Sequence, residues 1–289
     1  MSNNLSVSNT DKEQMKEFMV NIKDDCEIDK VKMDFFANIS HEFKTPLNIL
    51  LGSMQLLELY SNNGTIIDPQ LKLEKYLKSM KNNTLKLVRL VNNIIDLSKI
   101  DSNYFYLEKH NYNIVEMVES VLKSITTYSE MKKISIVLDK KIHRKIIAFD
   151  IGKIERALLN LLSNALKFTD ESGCIQVSVD ADEKWVYISV KDDGIGMHEE
   201  KMHIIFNRFS QAEKSFIRNN EGSGIGLSLV KSIVKMHGGN IKVYSEYGKG
   251  SEFIIELPIN IVENDEGNQY YSQYEDSRVE RLRAELSDL

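Results

Sequence analysis

Apolar residues recur every three or four positions through the first hundred residues: Met15, Met19 and Ile22, then Phe35, Phe36, Ile39, Phe43, Leu47, Leu50, Met54 and Leu57. That spacing predicts amphipathic helix, because side chains three and four apart share a face. A cluster of turn formers, SNNGTIIDPQ at 61–70, ends the first long helix. Leu73, Leu77, Met80, Thr84, Leu87, Val91 and Ile94 then alternate by four and three, the rhythm of a bundle seam. Two helices joined by a short loop make a hairpin. Its apolar faces are buried most economically against a second hairpin from another protomer, giving a dimeric four-helix bundle. Packing on the rest of its own chain is the alternative.

Beyond Asp101-Ser102-Asn103 the texture becomes mixed. The pattern predicts a helix over 113–132 with Asn113 as cap. Strands follow at 134–138 and 146–149, then a strongly apolar helix at 150–168. Residues 174–180 and 185–190 alternate as a β-hairpin, 227–237 reads as helix, and 240–247 with 251–257 form a last hairpin closed by Pro258. Strands with helices on one face make a two-layer α/β sandwich. The polar, glycine-punctuated stretch 207–226 is too long for a turn and is expected to be a lid. The tail from Glu263 to Leu289 is polar and ends in VERLRAELSDL, read as a short solvated helix.

Composition narrows the function. The chain has 289 residues, 42% hydrophobic and 28% charged, which suits a globular protein of roughly two domains. Its 37 basic and 43 acidic residues leave a net charge of −6, against the basic face that nucleic-acid binding needs. Cys26 and Cys174 have no metal-ligand spacing and suggest neither a disulfide framework nor a zinc site, so reduced cytoplasmic thiols are expected. No stretch reaches ~18 apolar residues, and the polar N-terminus has no secretory core. A part that senses across a membrane would lie outside this sequence. Of 14 glycines, those at 194, 196, 222, 224, 226, 238, 239, 248 and 250 crowd one region, which therefore needs unusual backbone freedom.

Four segments carry candidate chemistry. In SHEFKTPL, His41 and Thr45 are four apart on one helix face, with Glu42 beside His41. A neutral imidazole attacks phosphorus well when a carboxylate holds the proton of its other nitrogen, although His beside Glu is also an ordinary surface or core pairing. A zinc-protease pattern would need His where Thr45 stands. In NLLSNALKFT, Asn160 and Asn164 line one face of the apolar helix. Their amides could bind a hard cation such as Mg²⁺, with Lys167 reaching for phosphate and Phe168 following, or could be satisfied core amides.

The remaining two segments are rich in glycine. In VKDDGIGM, Asp192 at a strand end can accept from the exocyclic amine of adenine, Gly194 and Gly196 allow close approach of a ring, and Asp193 is the more solvated acid. In EGSGIGL, Gly222, Gly224 and Gly226 precede a helix whose N-terminus can hold phosphate. Neither a dinucleotide fingerprint nor a P-loop is present.

In order and spacing these segments, with FNRF at 206–209, resemble the transmitter core of sensor histidine kinases of two-component systems. The boxes are an H box at SHEFKTPL, an N box at NLLSNALKFT, glycine boxes at DDGIG and GSGIGL, and an aromatic box at FNRF. The resemblance runs from about Lys30 to Ile259. It implies a phospho-acceptor helical bundle followed by an ATP-binding sandwich of the type shared with gyrase, mismatch-repair and chaperone ATPases (the GHKL or Bergerat fold).

The implied organisation is a helical linker at 1–29, a dimerisation and phosphotransfer domain at 30–102, a catalytic ATP-binding domain at 103–262 and a tail at 263–289. The implied roles make His41 the phosphorylated residue and Glu42 its general base. Thr45 completes an E-x-x-T pattern associated with dephosphorylating a partner's aspartate. Asn164 becomes the Mg²⁺ ligand and Asp192 the adenine reader. The ATP-binding set is completed by Asn160, Lys167, Phe168, Gly194, Gly196, Phe206, Arg208, Gly222, Gly224, Gly226, Leu227 and Ser251, the last through its hydroxyl.

Asn160 stands where the related ATPases carry a water-activating Glu, which spares the γ-phosphate for an imidazole. Glu221 departs from the glycine many members have there. Pro46 is expected to bend the first helix near the reactive histidine. The resemblance therefore implies an ATP- and Mg²⁺-dependent, homodimeric protein-histidine kinase in the cytoplasm. It would serve a response regulator receiver domain, with a phosphatase activity and an upstream sensor. The rival readings are an ATPase doing conformational work and a nucleotide-free dimeric scaffold.

Overall fold

The computed structural model describes residues 37, 39–59, 69–102, 104–207, 224–263, 265 and 285–287. The chain divides into two compact units, 1–44 and 45–289. Within the first, residues 39–44 are helical, with His41 exposed and Glu42 half-buried. The expected linker and the start of the first helix, including Met15, Met19, Ile22 and Cys26, lie outside the described residues.

The second unit opens with helical residues 45–59 (α1) and the helix Pro69–Asp101 (α2). Pro69 sits at the first helical position, where its missing N–H leaves no bond unmade. It lies inside the stretch the sequence reads as a turn, so the turn is shorter than expected. The two sides of α2 are used differently. Leu73, Leu77 and Val91 of the predicted seam are 46%, 51% and 40% exposed, while Leu90, Asn93, Asp96 and Leu97 are buried. Leu47, Leu51 and Met54 of α1 are exposed as well.

The sandwich is built from β1 (His110–Asn113), α3 (Ile114–Met131), β2 (Ser135–Lys140), β3 (Ile146–Phe149), α4 (Ile151–Phe168), β4 (Cys174–Ala181) and β5 (Trp185–Asp192). It continues with a one-turn α5 (Glu199–Met202), α6 (Gly226–Met236), β6 (Asn240–Glu246) and β7 (Gly250–Pro258). Five strands form one sheet in the order β2-β4-β5-β7-β6, with β2 and β4 parallel and every other pair antiparallel. Period-two alternation sends Ile175, Val177 and Val179 of β4, Val186, Ile188 and Val190 of β5, and Ile255 and Leu257 of β7 to the helical layer.

The helix limits follow from local chemistry. Asn113 caps α3 by accepting from Val115 N at 3.3 Å, as its sequence position predicts. Asp150 caps α4 by accepting from Lys153 N at 3.1 Å. Helix α4 is the centre of the core: Ile154, Leu158, Leu161, Leu162 and Leu166 are at most 1% exposed, so each contributes about 1.5–3 kcal/mol of burial. His237, just past α6, is buried. Its Nε2 accepts from Asp150 N at 3.1 Å, its Nδ1 lies 2.8 Å from Ile233 O, and burial pushes its pKa down.

Two elements depart from the pattern. β1 has the unpromising sequence HNYN and exists because it pairs antiparallel with β3, with Tyr112 edge-on to Phe149 at 5.6 Å. This two-stranded ladder also ties down the far end of the domain. Ala148 N donates to Asn260 O at 2.7 Å, and Asn111 exchanges side-chain hydrogen bonds with both the N–H and the carbonyl of Val262. Asp265 accepts from Asn111 N and faces the His110 ring. The second departure is the tail. Glu285 and Leu286 are 7% and 2% exposed, so the solvated-helix reading is wrong for these residues. The cause is the arginine-lined recess described below. Among the described residues no helix is long and apolar enough to cross a membrane.

Candidate functional site

Most of the candidate residues of the second unit gather where β5 ends, α4 presents its polar edge and α6 begins. Asp192 is the last residue of β5 and is 6% exposed. Its Oδ1 accepts from Gly194 N at 3.0 Å and Ser251 N at 3.2 Å, and its Oδ2 accepts no hydrogen bond among the described residues. Burial raises the pKa of this carboxyl, against the lowering effect of the two backbone donors. Asp193 is exposed and turns back to accept from Cys174 N at 2.9 Å, as expected for the solvated member of the pair.

The loop after Asp192 is locked to its surroundings by backbone. Ile195 N donates to Phe168 O at 3.2 Å, and Gly248 N donates to Ile195 O at 2.7 Å. Gly196 has φ +63°, and a Cβ there would lie 2.0 Å from Glu246 O. Its glycine is thus required by the neighbouring hairpin, independently of any ligand. Ser245, which sequence reasoning missed, joins the same corner. Its hydroxyl accepts from Met197 N at 2.8 Å, donates to Gly250 O at 3.0 Å and lies 3.0 Å from Ser251 Oγ. The signal for it was available in the pairing of Ser245 with Ser251 across the Gly248-Lys249-Gly250 turn. Ser251 therefore reaches Asp192 through its N–H, while its hydroxyl is engaged by Ser245.

On α4, Asn160 is 2% exposed and Asn164 half-buried. Asn160 is fully engaged: Oδ1 accepts from Arg89 Nη2 at 3.1 Å, and Nδ2 donates to Arg156 O at 3.0 Å and to Glu285 Oε2 at 3.3 Å. A Cβ on Gly226 would lie 2.6 Å from Asn160 Oδ1, so glycine at the first residue of α6 lets the helix N-terminus touch the N-box amide. Ile225 at the cap offers no polar side chain, and the first turn of α6 has no acidic residue. The N-cap and first turn of this 11-residue helix therefore contribute no anion of their own to its positive end.

Lys167 Nζ lies 5.6 Å over the Phe168 ring, Phe206 packs edge-on to Phe253 at 6.4 Å with Lys231 Nζ over it at 5.6 Å, and Leu227 is half-buried. Gly224 has φ +62°. Arg208 and Gly222, with Phe209, Glu221 and most of the expected lid, lie outside the described residues. His41 and Glu42 belong to the first unit and Thr45 to the second.

Against known proteins, residues 31–103 match the "His Kinase A (phospho-acceptor) domain" and residues 149–261 the "Histidine kinase-, DNA gyrase B-, and HSP90-like ATPase" family. Histidine kinase P4 of Formosa agariphila is 34% identical over 241 residues, covering 81% of this chain and 17% of that protein. Sensor histidine kinase WalK of Bacillus subtilis is 31% identical over 246 residues, covering 84% and 39%. The chain thus spans well under half the length of these curated relatives. The solved structure of full-length ShkA in complex with AMPPNP superposes with a TM-score of 0.58 at 27% identity, covering 78% of this chain and 46% of that one. With a phospho-acceptor domain followed by this ATPase domain, the chain belongs to the sensor histidine kinases and carries their transmitter core.

Proposed function

We propose that the chain is an ATP-dependent protein-histidine kinase that phosphorylates His41 and passes the phosphoryl group to an aspartate on a response regulator receiver domain. The observation that carries the nucleotide half of this reading is Asp192. It is a buried carboxylate at a strand end, held through one oxygen by two backbone N–H groups, with the other oxygen available to an exocyclic amine. The AMPPNP bound by the related kinase ShkA is consistent with that use. Gly224 and Gly226 at the N-terminal end of α6 suit the phosphates, and Phe206, Phe168, Leu227 and Lys167 border them. Mg²⁺ would be held through Asn164, where it would neutralise charge on the phosphates. Arg208 and Gly222 complete the proposed set.

In the transfer, a lone pair of the His41 imidazole forms a P–N bond as the bond from phosphorus to the ADP oxygen breaks. ADP leaves, and Glu42 accepts the ring proton. Catalysis of this kind rests on positioning and charge neutralisation. Asn160 supports a kinase over an ATPase, because an amide cannot deprotonate water. Thr45 supports a phosphatase activity toward the regulator. The exposed Leu47, Leu51, Leu73, Leu77 and Val91 support a homodimer, and the length of the relatives supports an upstream sensor. ATP chemistry supports a cytoplasmic setting, and the net charge of −6 supports a reading with no nucleic-acid partner.

The test is incubation with γ-labelled ATP. An acid-labile, base-stable label is expected, abolished by His41→Ala with AMPPNP binding unchanged. Label that survives the substitution overturns the assignment.

A further inference from the structure

Asn160 sits at the phosphate end of the site, yet every polar atom of its side chain is engaged, and two of its partners come from far away in sequence. Arg89 lies on α2, and Glu285 is the fifth residue from the C-terminus. Around them is an arginine-lined recess. Arg156 Nε donates to Glu285 Oε1 at 2.8 Å, and Arg89 Nε lies 3.0 Å from Glu285 Oε2. The other two nitrogens of Arg156 donate to Asp96 and Asn93 of α2. The side chains of Arg89, Arg156 and Glu285 are 11%, 14% and 9% exposed, so these charges interact with little screening. Lys153 adds a third cation 3.8 Å from Asp96.

The charges show what the recess is for. Arg89 and Arg156 both meet Glu285, and Arg156 and Lys153 both meet Asp96. A bidentate carboxylate is what paired guanidinium groups hold best. Leu286, 2% exposed, seats the same segment through apolar burial. Glu285 is separated from the N-terminus of α6 only by the Asn160 amide, which touches both.

We propose that the recess formed by Arg89, Arg156 and Asn160 is a docking site for the side-chain carboxylate of the chain's own Glu285, and that this clasp competes with nucleotide. Docked, Glu285 ties α2 to α4, engages Asn160 and places a negative charge beside the corner where the triphosphate would lie. Nucleotide binding must free Asn160, and the triphosphate repels the docked carboxylate. The two occupants therefore oppose one another, and each lowers the apparent affinity of the other by the same factor. This inference rests on the nucleotide reading of the site.

The test compares AMPPNP·Mg²⁺ binding by calorimetry for the wild-type chain and Glu285→Gln, which keeps the shape and removes the charge. The expected result is about tenfold or greater tightening in the variant. Unchanged or weaker binding by a folded Glu285→Gln overturns the clasp. Amide exchange of the wild-type chain provides a reading that needs no variant. Exchange over residues 89–97 should speed up when AMPPNP is added, and slowing or no change overturns the proposal. If neither protein binds AMPPNP, the nucleotide reading itself fails and the competition with it. Binding by the wild type equal to that of the variant sinks the clasp alone.

Discussion

Two corners of the same site are held together by different physics. Around Asp192, the 194–197 loop and the β6–β7 turn, the bonds run between backbone groups and short hydroxyls of adjoining strands: Gly194 and Ser251 to Asp192, Gly248 to Ile195, Ser245 to Met197. Around Asn160 the contacts are long charged side chains from α2, α4 and residue 285. The first corner is fixed by strand register and cannot loosen without opening the sheet. The second is assembled from three distant stretches and can come apart while every element stays folded. On the proposed nucleotide reading, a rigid corner at the base beside a separable corner at the phosphates would let occupancy be regulated without unfolding.

The largest blow to the rigid corner is Gly250→Val. Its φ is +93°, and a Cβ would lie 2.0 Å from Asp192 O, so the substitution is expected to cost about 3 kcal/mol or more, read by urea denaturation. A loss under about 1 kcal/mol would mean that this corner yields as easily as the ionic one.

Asp192→Asn comes next and separates binding from stability. Burial raises the carboxyl's pKa, so folding favours its protonated form, and that contribution to stability fades as pH rises through the folded pKa. At neutral pH the buried charge opposes folding, and the variant should be as stable as wild type or more so. Its AMPPNP affinity should nonetheless fall by about 2–3 kcal/mol. Acidification should weaken wild-type binding above the usual carboxylate range and leave the variant's binding flat; a pH profile common to both would remove Asp192 from the adenine contact.

The smallest effect tests the contrast directly. Raising salt from 0.1 to 1 M shortens the screening length from about 10 to about 3 Å and should speed amide exchange along residues 89–97 by less than about 1 kcal/mol of protection. Residues 194–197 should not respond, and equal acceleration in both regions would erase the distinction.

What the sequence revealed follows the same division. Helix α4 was legible because its dense run of Ile and Leu allows little else, and the β4–β5 and β6–β7 hairpins because alternation and glycine turns are local signals. β1 was invisible, since HNYN becomes a strand only through its pairing with β3. The glycine at 196 was recognised as a constraint but for another reason, because its close neighbour is Glu246 O. Ser251 was found, but its hydroxyl is engaged by Ser245 and its N–H does the work at Asp192. Arg89, Arg156 and Glu285 could not be linked from sequence at all. A charged residue in a polar tail looks solvated until its partners, more than a hundred positions away, are in place.

The ladder of β1 and β3 carries a consequence for engineering. The segment leading into the sandwich, at 110–113, and the segment leaving it, at 260–265, are bound to each other through Asn111, Ala148 and Asp265. Both ends of the module therefore meet at one seam, the geometry that permits a domain to be transplanted into a loop of another protein or circularly permuted. Joined there by a short linker and reopened at an exposed turn such as 182–184, the sandwich would keep all five strands of its main sheet.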